Sequence, residues 1–159
     1  MSTSNRDKIG KALGKVPSGL FIASCGKGSS SVPFLASWVQ QCDLEEPLVM
    51  ISVQKGREAM KAIDEQGGAL TLSVLPEGRH DLMKPFFQSK PEAPFGELKT
   101  CRAPNGGVYL DEALSWLECS EVGRVDAGDH VVVIAKVVDG GLLQEGNPAV
   151  HIRKSGFSY

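Results

Sequence analysis

The chain has 159 residues, of which 42% are hydrophobic and 23% charged. Length and composition match about one ordinary globular domain, residues 1–159, and exclude a disordered or fibrous chain. Lys+Arg 17 against Asp+Glu 19 leaves a net charge of −2, which offers no broad basic footprint for nucleic acid.

Asp7 to Lys15 reads as a short helix, with Ile9 and Leu13 on one face, Ser4 as its cap and Pro17 as its stop. Gly19 to Cys25 is an apolar run that reads as a strand. Gly26 to Ser31 carries turn chemistry, and Val32 to Val39 reads as the returning strand of a hairpin. Leu48 to Val53 is almost continuously apolar, which predicts a strand buried on both faces. Arg57 to Gln66 is the clearest helix: Ala59, Met60 and Ile63 fall at helical spacing, and Gly67-Gly68 supplies the stop.

Ala69 to Leu75 reads as a further strand. Leu82, Met83, Phe86 and Phe87 form a helical stripe, but Pro85 inside it predicts a kink or two short turns. Lys90 to Pro94 reads as a surface loop. The last third is strand-rich, with Val108–Leu110, Ala113–Val122, Val131–Val138 and Ala149–Ile152 as strands. Strands outnumber helices, most connections are short, and only the helix after Val53 looks like a crossover. The expected class is therefore mainly β, a closed or sandwiched antiparallel barrel with a few peripheral helices.

The longest strongly apolar stretch, Val131 to Val138, is interrupted by Lys136 and falls short of the roughly 20 residues a spanning helix needs. Met1 to Lys8 has no apolar region behind its charges, so no signal peptide is expected there. Cys25, Cys42, Cys101 and Cys119 lie far apart with no Cys-x-x-Cys pair. Reduced thiols in a cytoplasmic protein, with no membrane partner, are the expectation.

Several chemistries find no seat. His80, His130 and His151 are isolated, with no short-spaced ligand pair, so no metal site is expected. Gly26-Lys27-Gly28 lacks the third glycine of a dinucleotide fingerprint and leads into a strand, not a helix. No Gly-x-Ser-x-Gly elbow is present.

Several segments act together. Pro17–Ser24 leads into Leu35-Ala36-Ser37-Trp38-Val39-Gln40-Gln41, and Pro47–Val53 runs into Lys55-Gly56-Arg57. Leu72–Leu75 follows the helix, and Gly123-Arg124-Val125-Asp126-Ala127-Gly128-Asp129-His130 closes the set. This order resembles the flavin reductase-like family of FMN-binding split β-barrels. It is also similar to the flavin reductase domain at the C-terminus of cyanobacterial flavodiiron proteins. The resemblance implies a homodimer of split barrels with FMN near the subunit boundary, FAD being the alternative flavin. It further implies an enzyme in which NAD(P)H is the co-substrate and flavin is reduced, its electrons passing to a further acceptor. The same barrel also serves as a non-catalytic FMN-binding or electron-carrying module.

Lys55, Gly56 and Arg57 lie between a buried strand and a helix start, where free backbone N–H groups favour an anion such as a flavin phosphate. Arg57 adds a forked contact, Lys55 a point charge, and Gly56 allows close approach; a solvated basic turn is the competing reading. By resemblance, Leu35, Ala36, Ser37 and Trp38 line the flavin ring. Trp38 serves equally as a large aromatic packed in the core or dimer seam. Gln40 and Gln41 are further polar candidates, and Ser52 is either a contact or a satisfied strand hydroxyl. Asp129-His130 follows a glycine turn. By resemblance His130 is the catalytic-site histidine beside the flavin and nicotinamide, supplying a donor; otherwise it only holds its turn.

Overall fold

The computed structural model of the chain describes residues 2–87 and 92–159. Helix α1 (Thr3–Leu13) begins earlier than its apolar residues suggest, because Ser2 caps it by accepting from the Asn5 N–H at 3.4 Å. Its first turn is wholly polar and carries no periodic signal. Ser4 lies inside the helix, and Gly14 ends it.

The run Gly19–Cys25 is divided at Leu20. Strand β1 (Ser18–Gly19) pairs with β11 (Val150–His151), whereas β2 (Phe21–Cys25) enters the main sheet. Gly26, at φ 86°, opens the turn to β3 (Val32–Ala36), and β2 and β3 form the expected hairpin. The predicted strand Val32–Val39 breaks at Ser37-Trp38. Strand β4 (Val39–Gln41) pairs on the opposite edge of the sheet with β5 (Leu48–Gln54). No change in composition marks that crossing. Strand β5 is buried on one face only: Val49, Ile51 and Val53 point inward, whereas Met50 is 37% exposed. The both-faces expectation fails because nothing in the described residues covers the outer side of Met50.

Helix α2 (Glu58–Glu65) presses Met60, Ala62 and Ile63 onto the barrel and stops before Gly67 and Gly68, both at positive φ. Strand β6 (Ala69–Val74) follows. Pro85 is accommodated in a single 3₁₀ segment, His80–Phe87, rather than in two turns. Of the predicted loop Lys90–Pro94, Lys90 and Pro91 lie outside the described residues. Strand β7 (Thr100–Arg102), too short and polar to read from sequence, pairs with β8 (Val108–Leu110).

Strands β9 (Ser115–Ala127) and β10 (His130–Leu142) are longer than predicted, because their polar halves pair with each other beyond the core. Register shifts fall between Ile134 and Ala135 and between Val137 and Asp139, so the ladder carries two irregularities.

The seven-stranded sheet runs β3-β2-β6-β9-β10-β5-β4, a curled split barrel whose two edges are joined by Ser37-Trp38. Inside, Ile51 faces Val133 across β5 and β10, at 1% and 0% exposure. Burying each such side chain contributes roughly 1.5–3 kcal/mol. A second cluster under the 3₁₀ segment gathers Leu20, Ile22, Leu75 and Leu82. Buried Glu118 on β9 accepts from the Gly107 N–H at 2.9 Å and the Asn105 N–H at 3.1 Å, tying the turn before β8 to the sheet. Among the described residues no helix is long and apolar enough to cross a membrane.

Candidate functional site

The antiparallel register of β5 and β10 sets His130 opposite Gln54, so the end of one strand meets the start of the other. The Lys55 N–H donates to the Asp129 carbonyl at 2.9 Å. Its ammonium meets the Asp126 carboxylate at 2.5 Å, and Asp126 also accepts from the Gly128 N–H at 3.1 Å. Those two bonds, the Lys55 contact first, hold the Asp126 carboxyl below its ordinary value.

Gly56 turns the chain at φ 75°, and a Cβ there would meet nothing within 4 Å. Arg57 precedes α2 in extended conformation, and no side chain caps the helix. The Arg57 Nε donates to Gln54 Oε1 at 2.8 Å; among the described residues its two terminal nitrogens have no hydrogen-bond partner. Open space at Gly56, an uncapped helix start and an uncommitted guanidinium fork fit a phosphate group. Two carboxylates oppose this: Asp126 on Lys55, and Glu58 in the first turn of α2.

His130 is buried, at 7% exposure. Its Nδ1 lies 2.8 Å from Asp129 Oδ1 and its Nε2 2.9 Å from the Tyr159 hydroxyl. The His130 contact is the main cause that holds the Asp129 carboxyl below its ordinary value. Facing a carboxylate, Nδ1 serves as a donor, and Nε2 and the Tyr159 hydroxyl share one hydrogen bond whose direction follows the tautomer of the ring. On the side away from Asp129, the partner of His130 is the Tyr159 hydroxyl.

The Trp38 ring is enclosed by three groups. His130 lies 4.9 Å away and Tyr159 5.5 Å away between ring centroids, and the Arg153 guanidinium carbon sits 4.9 Å from the indole centre. Of the two roles open to Trp38, packing among protein groups is the one seen in the single chain. Burial pushes the Tyr159 phenol up, while Arg153 and Arg57 pull it down.

Residues 153–157 reach this place along α1. The Arg153 N–H donates to Gly14 O at 3.1 Å, the Gly156 N–H donates to Gly10 O at 2.7 Å, and Arg6 lies 3.9 Å over the Phe157 ring.

The structure brings together Trp38, Lys55, Gly56, Arg57, Asp129 and His130. Ser52 sits on the outer face of β5 beside Val132, and its N–H donates to the Trp38 carbonyl at 2.9 Å. Ser37 lies half-buried in the crossing. Ala36 points into the barrel core and Leu35 into the second cluster, which leaves only their backbone to meet a ligand. Gln40 and Gln41 are exposed, and the Gln41 amide donates to Asp43 O at 3.0 Å. Sequence reasoning missed Gln54, Arg153 and Tyr159. The only local signal was a basic residue and an aromatic in a polar stretch.

Among the described residues no three His, Cys, Asp or Glu side chains form a metal-binding group. All four cysteines are free, and burial pushes the Cys25 and Cys119 thiols up to about 12.

A family model described as flavin reductase like domain matches residues 13–158. The chain belongs to that family, whose members form a class of flavin-related oxidoreductases. It is similar to diflavin flavoprotein A 1 of Synechocystis sp., 37% identical over 153 residues, covering 94% of this chain and 26% of that protein. The chain spans about a quarter of the length of the curated relatives it matches.

Two solved structures share the fold. A nitrilotriacetate monooxygenase component B from Mycobacterium thermoresistibile has TM-score 0.81 at 24% identity, covering 91% of this chain and 80% of that one. The NADH:FAD oxidoreductase SgcE6 of Streptomyces globisporus, in complex with NAD and FAD fragments, has TM-score 0.80 at 20% identity, covering 89% and 85%.

Proposed function

We propose that the chain is an NAD(P)H-dependent flavin reductase that holds FMN with its phosphate at Lys55–Arg57 and its ring along Leu35–Trp38. FAD is the alternative flavin. The observation that carries this reading is the uncapped start of α2 beside Gly56 and the Arg57 fork, continuous with the His130 cluster. The flavin, when bound, supplies the two-electron chemistry by taking hydride from a reduced nicotinamide and passing electrons to a further acceptor. The protein binds and orients. Arg57 and the free helix N–H groups neutralise the phosphate, and Lys55, shared with Asp126, adds a weaker charge. Ser37 and Ser52 offer hydroxyls to the ring edge. His130, fixed by Asp129, orients the nicotinamide.

The outer faces of β5, β10 and β9 carry Met50, Ile134, Val132 and Val125 in register, with Val125 54% exposed. A second copy of the chain is the proposed cover, so the working unit is a homodimer. The compartment proposed is the cytoplasm, in keeping with its free, exposed Cys42.

The visible spectrum of the isolated protein is the first test. Flavin bands that bleach on adding reduced nicotinamide without air support the reading. A protein that takes up neither FMN nor FAD overturns it. Bands that do not bleach favour the second reading, a non-catalytic flavin-binding or electron-carrying module. The enclosure of Trp38 by Tyr159 and Arg153 is the feature that favours it.

A further inference from the structure

We propose that Tyr159 is a built-in occupant of the coenzyme subsite: its phenol fills the Nε2 acceptor of His130 and shields Trp38, and the carboxamide N–H of a nicotinamide displaces it. The inference rests on the flavin reductase reading above and deepens it.

The argument begins with Asp129. An ionised carboxylate only accepts, so its 2.8 Å contact fixes the hydrogen of His130 on Nδ1. The opposite edge of the neutral ring then presents a lone pair. That edge selects a ligand bearing an N–H or O–H and rejects a bare carbonyl or phosphate oxygen. Tyr159 supplies an O–H at 2.9 Å, and its ring lies 5.5 Å from Trp38, so both the polar partner and the apolar wall of the subsite are taken.

The phenol is held lightly. Tyr159 is 70% exposed and lies beyond Gly156, where residues 153–157 make their last backbone bond to α1. The base of this strap is firm: Gly10 and Gly14 admit it at backbone distance, and a Cβ on Gly14 would lie 2.6 Å from Arg153 O. Tyr159 can therefore swing out while Arg153 stays over the indole. A nicotinamide carboxamide has the required N–H and a flat ring to follow it. A closed cap lowers apparent affinity by the fraction of molecules in which it is open.

The test uses the full-length, flavin-loaded protein and two oxidised dinucleotides, NAD and its 3-acetylpyridine analogue, which keeps the carbonyl and lacks the amide N–H. The expected results are tighter NAD binding in Tyr159→Phe, by roughly threefold to tenfold, and a similar loss of affinity for the analogue in wild type. Nitrogen NMR of the flavin-free chain should show His130 protonated at Nδ1, with its Nε2 resonance displaced in Tyr159→Phe. Unchanged or weaker NAD binding in that variant overturns the cap. Equal binding of the two dinucleotides overturns amide recognition. Protonation at Nε2 overturns the acceptor assignment. Each of these leaves flavin reduction standing if the protein still bleaches. Binding of neither dinucleotide, with no bleaching, removes the parent reading and the cap with it.

Discussion

The Lys55 N–H donates to the Asp129 carbonyl at 2.9 Å. This single backbone bond fastens the basic turn before α2 to the turn that presents His130. The Lys55 ammonium repeats the connection through Asp126. The proposed phosphate corner and the histidine cluster are consequently one rigid place, although 74 positions separate Lys55 from Asp129 in the chain.

Arg57 is the phosphate contact that can be removed most cleanly, since among the described residues its only side-chain bond is to Gln54. Arg57→Ala should weaken FMN by roughly 1.5–3 kcal/mol and leave riboflavin, which has no phosphate, unaffected. Fluorescence titration with the two flavins measures the difference. Equal losses for both would assign Arg57 to the ring or to the fold.

Glu118 tests the fold apart from the site. Its carboxylate is buried and accepts from two backbone N–H groups. Glu118→Ala leaves both donors without their partner and should lower stability by roughly 1–3 kcal/mol for each group left unsatisfied. Urea unfolding measures this, and an unchanged midpoint would mean that water replaces the carboxylate.

Gly14→Ala should detach the strap. A Cβ there would lie 2.6 Å from Arg153 O, a backbone atom that cannot rotate away. The Gly14 backbone itself, at φ −61°, accepts alanine without strain. Trp38 should become more accessible to acrylamide quenching, and helix content should stay constant. Unchanged quenching would show that Trp38 is shielded without the strap.

Acid should act through the carboxyls of this corner. The Lys55 bond holds Asp126 below the ordinary 3.8, as the His130 bond does Asp129. A carboxyl depressed in the folded state stabilises it above the unfolded value, and that contribution is lost as pH falls through the folded value. The stability gap between wild type and Asp126→Asn should therefore be constant above 3.8 and shrink below it. Both groups are exposed, so the gap is small. Urea midpoints against pH follow it; a gap that widens on acidification contradicts the assignment.

Much of the fold was legible because its signals are local. Gly67-Gly68 marks the end of α2, and the glycines from Gly26 mark the first hairpin. The break at Ser37-Trp38 was not legible. It is imposed by the crossing between the two sheet edges, and residues 32–39 carry no breaker for it after Pro33. The polar half of β9 read as loop, because its partner is the equally extended β10 rather than the core. In the site, the basic turn and Asp129-His130 stand out as motifs. Tyr159 does not: a contact made 29 positions from His130 depends on how α1 and the strap pack, which no local pattern encodes.

The register shifts in β9 and β10 bear on what this hairpin tolerates. Between Gly123 opposite Ile134 and Glu121 opposite Ala135, Val122 is the surplus residue. Removing it would leave Gly123 opposite Ile134 and Glu121 opposite Ala135, now consecutive, and take away the local bend and twist that the extra residue imposes. Arg124, which reaches back to Asp64 at 2.8 Å, would keep its place opposite Val133. Along this ribbon a residue can thus be lost at Val122 without any strand residue changing its partner.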